Sequence, residues 1–111
     1  MSKRKPSLLL EDMIESGEKI LAYTSGQTFD QFIADSKTID AVIRNFEIIG
    51  EPANRLPEEF KDKCPDINWQ QMRGYRNRVV HEYFGIDYEI VWQIKETLLP
   101  DLLNQLKTIK D

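Results

Sequence analysis

Ser36-Lys37-Thr38-Ile39-Asp40-Ala41-Val42-Ile43-Arg44-Asn45-Phe46-Glu47-Ile48-Ile49 is the stretch whose spacing decides the fold class. Ile39, Val42, Ile43, Phe46 and Ile49 recur at helical intervals, so at roughly 100° per residue they share one side of a helix. Asp35-Ser36 offers this helix an N-cap, and Gly50 and Pro52 weaken its end. On the N-terminal side, Phe29, Phe32 and Ile33 predict a short helix that begins after Thr28. Before it, Leu10, Met13, Ile14, Gly17, Ile20 and Leu21 form the stripe of a first helix, with Ser7 as N-cap and Thr24-Ser25-Gly26 as its break.

On the C-terminal side, prolines bracket residues 57–65, which read as a loop with one helical turn. Asp66 or Asn68 caps a fourth helix through Trp69, Met72, Val79 and Val80, ending near Gly85. Asp87 opens the last helix, in which Ile90, Ile94, Leu98, Leu102 and Leu106 step by four. Pro100 interrupts that register and is expected to kink it. No strand pattern occurs. The expected fold is all-α, an up-and-down bundle of four to five helices, with residues 1–6 as a basic tail and 7–111 as one domain.

Composition narrows the function classes. The chain has 111 residues, 41% hydrophobic and 31% charged, a soluble balance with a small core. Its longest apolar run, residues 8–10, is far too short to span a bilayer, and no signal-peptide pattern follows the basic start. Cys64 is the single cysteine and His81 the single histidine, which argues against a disulfide and a structural zinc site and favours a reducing cytoplasm. The net charge is −4, so binding to RNA requires a local basic patch. The five glycines are scattered, which leaves no phosphate-binding loop and no cofactor motif.

One segment carries chemistry: Arg76-Asn77-Arg78-Val79-Val80-His81-Glu82-Tyr83. Trp69, Met72, Arg76, Val79, Val80 and Tyr83 share a broad, otherwise apolar face of the fourth helix. A guanidinium there is costly unless paired. Arg76 is therefore either a structural partner of Glu47 or Glu51, or a functional arginine. Gly74, Asn77, Arg78 and His81 lie on the opposite side, where Asn77 and His81 are four apart and can meet. Gly74 allows a second backbone to approach that side closely. Arg73, Arg76 and Arg78 around one imidazole make the densest positive patch of an acidic chain.

These residues resemble the motif of HEPN domains, in which Arg-Asn-x-x-x-His-x-Tyr stands near a helix end. The similarity is greatest to the HepT branch, toxins paired with minimal nucleotidyltransferases. It extends to Ala41-Val42-Ile43-Arg44-Asn45-Phe46-Glu47-Ile48-Ile49-Gly50-Glu51, to Trp69-Gln70-Gln71-Met72-Arg73-Gly74-Tyr75, and to Leu98-Leu99-Pro100.

The resemblance implies a HEPN-like homodimer that acts as a metal-independent endoribonuclease on RNA. It further implies a cognate nucleotidyltransferase antitoxin, Arg76 and His81 as the catalytic pair, Asn77 as their polar neighbour, and Tyr83 as the position for AMPylation. Arg73 and Arg78 supply further positive charge for RNA. On an apolar face Tyr83 would be packed in any case.

An imidazole titrates near neutrality and can take a 2′-OH proton, and a guanidinium binds phosphoryl oxygens bidentately. Arg76 and His81 are five apart, about 140° around an ideal helix, which favours a composite site drawn from facing protomers. The alternative is a non-catalytic HEPN-like subunit that binds nucleotide or a partner protein. A third reading is a purely structural partner of the nucleotidyltransferase.

Overall fold

Helix-capping chemistry between Thr24 and Asp35 sets the first half of the bundle. In the computed structural model, which describes residues 5–65, 67–70, 72 and 88–109, helix α1 spans Pro6–Tyr23, α2 Phe29–Ile33 and α3 Ser36–Arg55. Thr24 follows α1 with its hydroxyl donating to the Ile20 carbonyl at 2.8 Å, and Gly26 takes a φ of +78°, open to glycine at little cost. Thr28 then forms a full capping box. Its Oγ1 accepts from Gln31 N–H at 3.2 Å, while Gln31 Oε1 accepts from Thr28 N–H at 2.8 Å.

Asp35 joins this turn to α3. Its carboxylate accepts from Thr38 N–H at 3.1 Å, from the Thr38 hydroxyl at 2.6 Å and from Gln27 Nε2 at 3.1 Å. The expected start of α2 and the Asp35 cap of α3 both hold. The start of α1 differs: Lys5 is the cap residue and Pro6 occupies the first turn, so Ser7 lies inside the helix. Proline suits that place because its missing N–H and fixed φ cost nothing there. Helix α3 also runs beyond Gly50 and through Pro52 to Arg55. Only the final turn follows the proline, so little of the helix is left to destabilise.

The core forms where α1 lies along α3. Leu9, Leu10, Met13 and Ile20 are buried from one helix, and Ile39, Val42, Phe46 and Ile49 from the other. After α3, helix α4, Glu58–Asp62, supplies the single turn expected in the proline-bracketed stretch. Beyond it, Ile67, Trp69 and Met72 join the buried cluster.

The last helix is built in three parts: α5, Tyr88–Gln93; a π-helical turn, Ile94–Leu98; and α6, Leu99–Lys107. Pro100 is the physical reason for the turn, as it lacks a donor and its ring would strike the carbonyl four residues earlier. Leu99 N–H reaches back five residues to the Ile94 carbonyl, and the Thr97 hydroxyl donates to the Gln93 carbonyl at 2.6 Å.

One residue is in effect inserted. The buried stripe therefore runs Val91, Ile94, then Leu99, Leu102, Leu103 and Leu106. The expected step of four through Leu98 fails there, and Ile90 and Leu98 are only half-buried. Across the π-turn, α5 packs on α2, with the Trp92 ring 5.1 Å from Phe32 and 6.0 Å from Phe29 between centroids. Among the described residues there is no strand. The expected Asp87 start of this helix and the Gly85 end of the previous one lie outside them.

Two outcomes follow from this packing. A Cβ on Gly17 would lie 2.5 Å from Leu103 Cδ2 and 3.1 Å from its Cγ, so α1 and α6 meet where only glycine fits. Overpacking of ~1–3 kcal/mol outweighs the ~1 kcal/mol that alanine gains in helix propensity. Gly17→Ala should thus lower the melting temperature, and this loss should vanish in a Leu103→Ala background; a Gly17→Ala protein more stable than wild type would refute the close approach.

The Asp35 carboxyl is held below its ordinary value of 3.8, chiefly by the Thr38 hydroxyl, then by the Thr38 N–H. Its contribution is complete above the unfolded carboxylate value and is lost as pH falls through the lower folded one. Asp35→Ala should melt earlier than wild type at pH 7, with the gap narrowing below about pH 4 in thermal circular dichroism.

Candidate functional site

The fourth helix begins where the sequence places it. Met72 N–H bonds to the Asn68 carbonyl at 3.2 Å, and Trp69, Gln70 and Met72 are helical. Trp69 and Met72, three apart, are both buried, so the apolar face expected of this helix holds at its start. The Trp69 indole donates to the Cys64 carbonyl at 3.3 Å, and its ring meets Phe60 edge-on at 6.4 Å. Together these contacts tie the start of this helix to α4 and the residues that follow it.

Arg73, Arg76, Asn77, Arg78, His81 and Tyr83 lie outside the described residues, as do Gly74, Val79 and Val80. The structure describes the other segments that the resemblance and the pairing of Arg76 single out. On α3, Asn45 is buried and its amide donates to the Ala41 carbonyl at 2.8 Å, a polar side chain satisfied by its own helix. Of the two carboxylates considered for Arg76, Glu51 pairs with Arg55 at 2.6 Å, four residues on, and Glu47 is half-buried. The Leu98-Leu99-Pro100 block proves to be the end of the π-turn and the start of α6.

Two buried lysines escaped the sequence reading. Lys95 lies in the π-turn with its ammonium 3.8 Å from the Trp92 ring centroid and 3.1 Å from Glu96 Oε1. The aromatic face and the carboxylate offset the cost of burying that charge. Its signal in the sequence was the spacing of three from Trp92, which places an ammonium over an indole on one helix face. Lys61 of α4 is also buried, and its ammonium lies 3.7 Å from the Glu58 carboxylate. Among the described residues no three His, Cys, Asp or Glu side chains converge as metal ligands, and no helix is long and apolar enough to cross a membrane.

The family model described as HepT-like, "Ribonuclease HepT-like", matches residues 13–109, from the middle of α1 to just beyond α6. The chain belongs to this family. The three blocks of resemblance thus fall within one family match, and the all-α class agrees with it. The family's activity class is that of a ribonuclease.

The chain is similar to a protein named "Putative RNase" from Methanocaldococcus jannaschii, 39% identical over 98% of this chain and 90% of that one. It is similar also to "Probable ribonuclease HepT" of Thermococcus cleftensis, 36% identical over 97% of this chain and 98% of that protein. A "Putative RNase" of Caldanaerobacter subterraneus is 34% identical over 96% and 95% respectively. No solved structure matches the chain.

Met72 is fully buried at the entrance to the motif. Met72→Ala should cost ~2–5 kcal/mol of stability. Chemical denaturation read by circular dichroism would measure that loss, and a change under 1 kcal/mol would mean that the fourth helix is not anchored there.

Proposed function

We propose that this member of the HepT-like family is a metal-independent endoribonuclease that works as a homodimer, with Arg76 and His81 as its catalytic pair. The observation that carries the reading is the coincidence of the family match over residues 13–109 with an Arg76-Asn77-x-x-x-His81-x-Tyr83 segment inside it. The spacing of five between Arg76 and His81 favours a site completed across two chains, the arginine from one protomer and the histidine from its partner. Gly74, on the His81 side of the helix, leaves room for the facing backbone.

In this mechanism neutral His81 removes the 2′-OH proton, and the 2′-oxygen attacks phosphorus. The bond to the 5′-oxygen breaks, and that oxygen takes a proton from solvent. The products are a 2′,3′-cyclic phosphate and a free 5′-hydroxyl. Arg76 binds the phosphoryl oxygens bidentately and stabilises the charge that builds on them in the transition state. Asn77 lies within reach of His81 on the same helix face and orients it, while Arg73 and Arg78 hold neighbouring phosphates. The chemistry uses no cofactor.

The biological setting of this reading is a cytoplasmic toxin–antitoxin pair. A minimal nucleotidyltransferase is the antitoxin, and it silences the enzyme by attaching AMP to the Tyr83 hydroxyl, two residues after His81 in the chain.

His81→Ala should lower RNA cleavage by ~10²–10⁴-fold while RNA binding is retained. Arg76→Ala should lower it similarly, and cleavage should vary with protein concentration as the dimer population does in sedimentation. Wild-type dimer that leaves every RNA intact would instead favour the non-catalytic binding subunit. If Arg76→Ala lowered stability alone, the structural role would stand.

A further inference from the structure

We draw no further inference here: the strongest candidate, the surface patch at the aromatic contact of α2 with α5, where exposed Ile33 and Tyr88 lie one helical turn from Phe29 and Trp92, is an apolar face, and nothing in the structure shows what covers it.

Discussion

Pro100 cannot donate a hydrogen bond to the carbonyl four residues before it, and the last third of the bundle is arranged around that deficit. The helix absorbs it by widening into the Ile94–Leu98 π-turn, with Leu99 N–H reaching the Ile94 carbonyl. Inserting one residue re-phases the helix. Leu99, Leu102, Leu103 and Leu106 then face the same core as Val91 and Ile94. Leu103 arrives where Gly17 has no side chain, and Trp92 arrives against Phe29 and Phe32. The contacts of α1 and α2 with the last helix thus depend on this re-phasing.

The polar features of the molecule follow a second constraint, that hydrogen-bonding side chains at the helix ends and in the core find partners close along the chain, with the buried Gln27 Oε1 as an exception. Thr24, Thr28, Asp35 and Asn45 all satisfy or are satisfied by backbone within four residues. Such local closure makes the turns around α2 firm without long-range polar contacts. Lys95 obeys the same rule through Trp92 and Glu96. Lys61 obeys it less closely, with its ammonium 3.7 Å from Glu58 Oε1.

How much was legible beforehand differs by residue. Thr28 and Asp35 were readable as caps because an N-cap depends only on a side chain and the three residues that follow it. The α1 and α3 stripes were readable because burial repeats at the helical period. The N-cap assigned to Ser7 falls two residues earlier, at Lys5, since the proline between them serves the first turn equally well. Lys61 and Lys95 escaped the reading, because spacing alone does not mark a lysine as buried. The motif residues from Arg73 to Tyr83 were legible as chemistry and as family resemblance, and the match over residues 13–109 agrees with the family.

By itself the sequence determined the all-α class, the starts of α2 and α3, and the residue types gathered at Arg76 and His81, since each rests on spacing within a turn or two. Tertiary structure alone decided the π-turn register of the last helix, the seating of Leu103 against Gly17, and the burial of Lys61 and Lys95. The physical reason is range. Capping and periodicity act between residues close along the chain, whereas burial and close packing depend on which distant surface a residue meets, and no local pattern encodes that.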